Sequence, residues 1–529
     1  MKYLIGEKGV LIYLLFLTLF ANYSTAQNFG TDVFVLPDSN VYEGPPSIAI
    51  ANNGWVYIAF SSSRPTIWSY GVYVSKDQGN SWQTLFQNDT AQGTRSLPMV
   101  EDLVVVGNDS TDLRLFIAYK TVSSAIELSS GFVCEYDGLT GNFLNKPLTF
   151  GDGATFDIYD VALATDFLFP SIGSSPFSIA VAYSEVNSIT SDSVVVYISS
   201  DGGQTFGNNQ LISTSQNNWK NTVDLEYAFD SAQSNGSFWL GFGQDEHLGI
   251  CNSSSVILHS FSTPVYLDSI SPNYINNVYD FSIAAQKGNY ANTQGSYTVA
   301  VLTSTNSDIL GFYNSSGNPQ GPWQIAYVDT EQYYYSDTPS AVYDPTSRKY
   351  FASWINGDSL RNHRMECYSA DYINLTNWNQ ISQNYCDSTE LIMYSDSDPR
   401  LAVDHSSGIL YSSWILDFGY DPYVGGTSTL VMIDKAQFSI GIPDLEGIQT
   451  FPVYPNPSDF EIRFQFKQEF INELHYSIST LDGKIVKKGS IESSFGKEYV
   501  LQIDSLAQGA YLLKLFSTKV HLISHFVKI

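Results

Sequence analysis

Short apolar runs alternate with polar turns through most of the chain, and one phrase of residues recurs. Each copy has an apolar strand, a turn with Asn, Asp or Gly, and a second strand that ends in a small residue and an aromatic one. A period of tens of residues indicates stacked repeats, each burying its apolar face against its neighbours. Copies spaced by about 60 residues begin at Pro46, Pro98, Tyr159, Val223, Tyr279, Pro339 and Pro399.

A second phrase follows most copies of the first. It consists of a third strand, a polar turn, and an aromatic residue that opens a fourth strand. Four antiparallel strands per unit predict a β-propeller, whose blades surround a central channel. Seven blades are expected; six or eight stay open, because the second phrase is degenerate in the fourth and seventh units. Residues 29–36 are candidates to complete the last blade and close the ring.

Composition and a change of pattern divide the chain. It has 36 Tyr, 32 Phe and 9 Trp, and only 15% of its residues are charged, which favours strands over helices. The repeat stops after residue 440, and residues 441–450 read as a linker. From 451 to 529 apolar and polar residues alternate, and Asp482-Gly483 indicates a hairpin. The expected fold is all-β: a seven-bladed β-propeller over 27–440 and a small Ig-like β-sandwich over 451–529.

The N-terminus has the pattern of a signal peptide over residues 1–26. Lys2 and Lys8 precede an apolar run over residues 10–20, and small residues before position 27 suit cleavage after Ala26. That run is shorter than the roughly 20 residues that a membrane span needs. No later stretch is long enough either, so no transmembrane segment is predicted.

Charge narrows the classes of partner. The chain has 25 basic and 53 acidic residues, a net charge of −28, which excludes nucleic acid and anionic membranes as natural partners. The acidity suits solubility outside the cell; a Ca²⁺ role is an alternative that no motif supports, so neither a metal nor a cofactor is predicted. The closely spaced Cys367 and Cys386 are either a disulfide or buried thiols.

Two copies of the second phrase carry a recognisable motif, which resembles the Asp-box of BNR repeats in sialidase-like propellers. The Asp carboxylate can bind turn amides, the Gly takes a positive φ, and the aromatic residue packs between sheets. The resemblance implies a structural turn between third and fourth strands, on the face opposite the usual binding site. The matching residues are Ser75, Asp77, Gly79 and Trp82, and Ser199, Asp201, Gly203 and Phe206.

The C-terminal region resembles the type A C-terminal sorting domain of type IX secretion cargo in Bacteroidetes. The matching pieces are Tyr454, Pro455, Asn456 and Pro457, then Asp482, Gly483 and Lys484 after Leu481, and a terminal Val-Lys-Ile. The resemblance implies passage through the periplasm and outer membrane by the type IX secretion machinery. The protein is then expected to be released or attached to the outer cell surface.

Common sequence motifs of catalytic and phosphate-binding sites are absent from the chain: there is no HExxH, GxSxG, GxxxxGK[ST] or GxGxxG. The sialidase-like resemblance would imply three arginines, a Tyr–Glu pair and an acid. Its early F/Y-R-I-P motif is missing, so no catalytic residue is assigned. Loops between second and third strands and between blades are expected to form the ligand face. Their candidates are Arg64, Trp68, Asp245, Glu246, His247, Tyr334, Asp358, Arg361, Asp417 and Tyr420.

Aromatic residues beside carboxylates suit stacking on sugars and hydrogen bonding to hydroxyls, and equally suit peptide contacts. The leading hypothesis is a secreted or surface-attached, non-catalytic propeller for adhesion or for binding of a glycan or protein. The alternative is a glycoside hydrolase of the sialidase-like group. Convergence of carboxylates and arginines at the channel mouth opposite Asp77 and Asp201 would favour hydrolysis. A flat or aromatic mouth would favour binding.

Overall fold

The computed structural model describes residues 33–528 with gaps, of which the longest are 168–176, 268–279, 289–296, 385–398, 438–448 and 466–473. The predicted signal peptide, residues 1–26, lies outside the described residues. The chain divides into two compact units, Met1–Ile440 and Gly441–Ile529.

Seven sheets of the first unit are described, and they are numbered here from the N-terminus. Sheet 1 contains β2 (Tyr42–Glu43), β3 (Ser47–Ile50), β4 (Val56–Arg64), β5 (Ile67–Ser75) and β6 (Gln83–Ala91). Sheet 2 contains β7 (Ser96–Val106), β8 (Arg114–Ser123), β9 (Ser129–Asp137) and β10 (Phe143–Phe150). Sheet 3 contains β11 (Phe156–Thr165), β12 (Ile179–Asn187), β13 (Ser191–Ser199) and β14 (Gln210–Ser215). Sheet 4 contains β15 (Val223–Asp230), β16 (Asn235–Gln244), β17 (His247–Asn252), β18 (Val265–Tyr266) and β20 (Lys287–Gly288).

The remaining three sheets complete the described part of this unit. Sheet 5 contains β19 (Phe281–Ala285), β21 (Val299–Thr305), β22 (Asp308–Asn314) and β23 (Trp323–Tyr327). Sheet 6 contains β24 (Tyr335–Asp344), β25 (Lys349–Gly357), β26 (His363–Asp371) and β27 (Asn379–Asn384). Sheet 7 contains β28 (Arg400–Asp404), β29 (Ile409–Asp421) and β30 (Gly426–Gln437), and the N-terminal β1 (Val33–Phe34) is its fourth strand.

The first strands of these sheets form a closed ring. Contacts run in order from β3 through β7, β11, β15, β19 and β24 to β28, and β28 contacts β3 again. Within each sheet the main strands then follow one another as an antiparallel meander, so later strands lie progressively farther from the ring. The predicted all-β class and propeller architecture are confirmed. The blade number stays a prediction, which the seven described sheets support.

Apolar side chains fill the spaces between neighbouring sheets. One cluster joins sheets 1 and 2 through Tyr57, Leu115 and Ile117, and another joins sheets 3 and 4 through Ala180, Phe238 and other residues. Inward positions of the strands alternate with outward ones, which is why short apolar runs suffice to cover both faces. Each buried Leu, Ile or Phe contributes roughly 1.5–3 kcal/mol. The repeat therefore folds because each sheet covers its neighbour.

Closure of the ring uses the N-terminal strands, as the sequence pattern predicts. β1 pairs with β30, with Val33 opposite Ile433. The buried Glu43 of β2 reaches the same strand: its backbone N–H donates to Thr429 Oγ1 at 2.7 Å, and its carboxylate accepts the N–H of Val431. The first and last sheets are thus joined by backbone and side-chain bonds.

The second unit is a small β-sandwich. One sheet has the order β31 (Gln449–Thr450), β37 (His521–Lys528), β36 (Gly509–Phe516), β33 (Leu474–Thr480) and β34 (Ile485–Ile491). The other pairs β32 (Glu461–Gln465) with β35 (Glu498–Gln502). Ile462 and Phe464 from the small sheet and Ile478, Leu513 and Phe526 from the large one share a buried core. β33 and β34 pair as the predicted hairpin, although Asp482, Gly483 and Lys484 lie outside the described residues.

Candidate functional site

The two turns that resemble Asp-boxes have the same hydrogen bonds. Asp77 Oδ1 accepts from Ser75 Oγ at 2.8 Å and from the Ser81 N–H at 2.9 Å, while Ser81 Oγ donates to Oδ2. Asp201 accepts the equivalent bonds from Ser199 and Thr205. Hydrogen bonds from the Ser81 side chain and backbone lower the pKa of Asp77 to about 2. Both carboxylates are therefore engaged within their own turns, which supports the structural role predicted for them.

The glycines and aromatics of these turns have equally local functions. Gly79 and Gly203 have φ values of 80° and 82°, in the left-handed region that favours glycine. A Cβ at Gly203 would lie 2.4 Å from the Phe116 ring. Trp82 and Phe206 are half-buried and pack against apolar clusters that span two sheets.

The predicted ligand-face residues are only partly described. Arg64 ends β4, opposite Ile67, and the half-buried Trp68 lies in β5 opposite Ser63. His247 is the exposed first residue of β17, and its ring lies 6.0 Å from that of Tyr266.

The remaining candidates leave this part of the prediction untested. Asp417 and Tyr420 lie in β29, opposite Thr429 and Thr427, and nothing is described of their side chains. Asp245, Glu246, Tyr334, Asp358 and Arg361 lie outside the described residues. The ligand-face assignment therefore stays a prediction, and no described contact joins its members.

A different set of residues converges on the channel, and the sequence analysis did not single it out. In six of the seven repeats the residue directly after the first residue of the phrase is polar, and in the second repeat Asp102, four residues after Pro98, occupies the corresponding place. These residues are Ser47, Asp102, Asp160, Asp224, Asp280, Ser340 and Arg400. Aligning the copies would have revealed this column of polar residues on the strands nearest the axis.

Three aspartates of this column join neighbouring sheets. Asp102 accepts from the N–H groups of Leu103 and Leu163 at 2.8 and 2.7 Å and from Ser47 Oγ at 2.9 Å, linking sheets 1, 2 and 3. Asp160 accepts the N–H of Val223 at 2.8 Å, linking sheets 3 and 4.

Side-chain acceptors bind backbone N–H groups of the next sheet in the rest of the ring as well. Asp224 accepts the N–H of Ile283 at 2.7 Å, linking sheets 4 and 5. Ser282 and Ser340 hydroxyls accept the N–H groups of Ala341 and Leu401, linking sheets 5, 6 and 7. Because these backbone groups lie at strand edges, the side chains supply partners that no strand pairing provides.

Two β-bulges, one in sheet 2 and one in sheet 3, each add a residue to the same region. The register shifts by one residue at Glu101, between Val100 and Asp102, and at Tyr159, between Ile158 and Asp160. A bulge re-aims the side chain of its extra residue, and bulges are frequent beside active sites.

Lys120 of β8 connects the two bulges. Its ammonium lies 3.1 Å from Glu101 Oε1 and donates to the Tyr159 carbonyl oxygen at 2.5 Å. The same ammonium lies 5.8 Å from the centre of the Tyr159 ring. A single cation therefore contacts an acidic side chain of one sheet and the backbone of the next.

Charged groups of the innermost strands interact across the ring. Burial raises the pKa of Asp102 on sheet 2 and of Asp224 on sheet 4, and the positive charge of Arg400, on sheet 7, opposes part of each rise. Sheets 4 and 7 are not neighbours in the ring, so this interaction crosses its centre. We call Glu101, Asp102, Lys120, Tyr159, Asp160, Asp224 and Arg400 the mouth cluster.

The mouth cluster lies toward the predicted binding end of the channel. Arg400 is the exposed first residue of β28, and Asp224 is the second residue of β15. In an antiparallel meander first and third strands run in the same direction, so third strands end, at Ser75 and Ser199, where first strands also end. The turns of Asp77 and Asp201 therefore lie at the opposite end from the starts of β15 and β28.

Burial controls the protonation of the cluster. Burial raises the pKa of Glu101 to about 7, against the opposing charges of Lys120 and Arg400, and the nearby Asp160 carboxylate adds to the rise. Burial likewise raises the pKa of Asp224 to about 6 and raises that of Asp102. Glu101 thus exchanges a proton near neutral pH beside carboxylates from other sheets.

A second Lys–Glu pair lies on β15, the strand that carries Asp224. Glu226, two residues after Asp224, accepts from Lys287 of β20, with the charged atoms 2.7 Å apart.

Among the described residues, no group of three or more His, Cys, Asp or Glu side chains is arranged to hold a metal ion. Nor does the described part of the chain contain a helix long and apolar enough to cross a membrane.

Comparison with known proteins identifies the second unit. Residues 452–528 match the family model of a secretion system C-terminal sorting domain. No curated protein matches the sequence. The chain therefore carries a type IX secretion sorting domain, and the protein is exported to the cell surface or secreted.

Several solved structures are similar to the chain. They include an α-L-arabinofuranosidase of Fusarium graminearum (TM-score 0.38, 11% identity, 77% of this chain and 97% of that one). A protein of unknown function from Dyadobacter fermentans has a TM-score of 0.42 and 10% identity, over 77% and 99% of the two chains. The NanB sialidase of Streptococcus pneumoniae has a TM-score of 0.37 and 11% identity, over 80% and 72%. These likenesses concern the fold alone.

The sorting domain leads to a direct prediction. Deleting residues 451–529 should leave the propeller in the periplasm, because the route across the outer membrane is read from this domain. Immunoblots of periplasmic, surface and medium fractions would measure the change. Fusing 441–529 to a periplasmic carrier should export the carrier; normal secretion of the truncated protein would contradict the assignment.

Proposed function

We propose that this protein is an exported β-propeller that binds a glycan at the mouth cluster, in adhesion or capture. The observation that carries the proposal is the convergence of carboxylate, ammonium and guanidinium groups from sheets 2, 3, 4 and 7 at one end of the channel. Four separate sheets supply them, so the groups are held by the rigid ring rather than by one loop.

The chemistry of the cluster favours a sugar over a protein surface. Carboxylate acceptors stand beside the guanidinium donors of Arg400, which is the pairing that vicinal hydroxyls can use. Tyr159 offers a ring face for stacking beside them. A stable protein interface buries roughly 800 Å² on each partner, whereas a channel mouth admits a narrow ligand.

The charge of the cluster predicts which glycans bind. Glu101, Asp102, Asp160 and Asp224 contribute four carboxyl groups against the two cations Lys120 and Arg400. Even with Glu101 protonated the carboxylates outnumber the cations. An anionic sugar would be repelled, so neutral or amine-bearing glycans are expected to bind at least ten-fold more tightly than sialylated ones, which corresponds to about 1.4 kcal/mol.

A glycan array with the secreted protein tests this preference. The Arg400→Gln variant should lose about ten-fold in affinity, because charge-assisted hydrogen bonds from a guanidinium to a ligand are worth roughly that much. Asp371→Asn, at the exposed end of β26, serves as the matched control and should bind as the parent does. Absence of glycan binding, or tightest binding of sialylated glycans, would refute the proposal.

Hydrolysis is the second candidate, because the convergence of carboxylates with Arg400 at the mouth is also the arrangement expected of a hydrolase, and the protonation of Glu101 favours it further. A glycosidase needs a carboxylic acid that still holds its proton at neutral pH, beside an ionised carboxylate. Glu101, with a pKa of about 7 and with Asp160 near enough to raise it, has the character of such an acid. If glycans that bind are also cleaved, Glu101→Gln should abolish cleavage and keep binding. Binding without cleavage would leave the first proposal standing alone.

A further inference from the structure

Lys120 occupies a position that packing alone does not explain. It is only 9% exposed, although it is a lysine on the second strand of its sheet. A buried ammonium is costly unless oxygen atoms surround it. Here the oxygens are those of Glu101 and of the Tyr159 carbonyl, and both belong to bulged residues at the channel mouth.

The two contacts lie on different sheets. Glu101 is the extra residue of a bulge in β7, and Tyr159 is the extra residue of a bulge in β11. The ammonium of Lys120 joins these two bulges through one ion pair and one hydrogen bond. Asp160 and Asp157 of β11 add negative charge around it.

We propose that Lys120 is a positioning residue, which fixes the carboxyl group of Glu101 and the bulge at Tyr159 in a single geometry for ligand. The inference rests on the proposed function of the mouth cluster and extends it to a residue behind the ligand-facing groups. Lys120 acts through Glu101: it holds the side chain toward the mouth and supplies a positive charge beside its carboxyl group. Without that charge, the groups still facing Glu101 are Asp160 of β11 and Arg400 of β28.

The test reads Glu101 directly and needs no ligand. A water-soluble carbodiimide with glycine ethyl ester labels carboxyl groups in their protonated form. Labelling of the full-length protein over pH 5–9, followed by peptide mass spectrometry, gives the pH at which Glu101 is half-protonated. Lys120→Met should raise this midpoint by at least one pH unit, and Lys120→Arg should restore it to within a few tenths.

Two controls separate positioning from general damage. Lys287→Met removes the comparable ion pair with Glu226 in sheet 4 and should leave the Glu101 midpoint unchanged. The urea midpoint of each variant monitors folding; a destabilised Lys120→Met protein is labelled at a concentration and temperature where it remains folded. An unmoved Glu101 midpoint in folded Lys120→Met would overturn the inference. Because labelling needs no glycan, a shifted midpoint with an empty glycan array would refute the proposed function and retain the role of Lys120.

Discussion

Replacing Asp102 with alanine is expected to lower the free energy of unfolding of the propeller by about 2–4 kcal/mol. The carboxylate accepts three hydrogen bonds from three sheets, donated by the N–H groups of Leu103 and Leu163 and by the hydroxyl of Ser47. Alanine leaves these donors without the carboxylate on three buried residues, at roughly 1–3 kcal/mol for each buried donor. Burial of the Asp102 carboxylate is itself unfavourable, as its raised pKa indicates, so removing it stabilises the folded state in part. The net loss in free energy of unfolding is therefore smaller than the summed cost of the three donors.

Urea unfolding followed by tryptophan fluorescence measures this effect, and the change should appear in the midpoint rather than in the slope. Asp102→Asn should fall between parent and alanine variant, because its amide oxygen still accepts while its NH₂ group opposes the N–H of Leu163. Asp371→Ala, at the exposed end of β26, should remain within about 0.5 kcal/mol of the parent. Equal stability of Asp102→Ala and Asp371→Ala would show that the inter-sheet bonds contribute nothing.

The local turns could be predicted from the sequence because their determinants are adjacent. Ser75, Asp77, Gly79 and Ser81 lie within seven positions, and the hydrogen bonds of the Ser75 and Asp77 side chains join residues of that segment. The sheets were equally predictable, since a repeated phrase must pack against its own copies. The N-terminal strand that closes the ring followed from the same logic.

The mouth cluster depends on long-range geometry, which a linear pattern does not carry. Glu101 and Lys120 meet Tyr159 of the next sheet, and Arg400 acts from nearly three hundred residues away in the sequence. A recurring aspartate was visible in the copies, but Ser and Arg replace it in other repeats. The bulges that turn Glu101 and Tyr159 toward the mouth shift the register by one residue, which reverses the face expected from alternation.

The same cluster makes stability depend on pH in a defined direction. Burial raises the pKa of Glu101 from 4.5 to about 7, so between these values the folded protein holds a proton that the unfolded chain has released. The unfolded state then binds fewer protons, and stability falls as the pH rises. The loss begins near pH 4.5, is complete above pH 7, and amounts to about 3 kcal/mol for a shift of this size. Asp224, whose pKa burial raises to about 6, contributes with the same sign over a lower pH range.

Glu101→Gln isolates the share that belongs to Glu101. Glutamine resembles the protonated carboxyl group at every pH, so the variant should match the parent near pH 4.5 and exceed its free energy of unfolding by up to about 3 kcal/mol at pH 8. Urea titrations at half-unit intervals from pH 4.5 to 8.5 would trace both curves. Asp371→Asn, an exposed carboxylate paired with Lys349 at 3.7 Å, should follow the parent throughout. Parallel curves for parent and Glu101→Gln would mean that Glu101 ionises freely in the folded protein, which would also remove the argument for Glu101 as a proton donor.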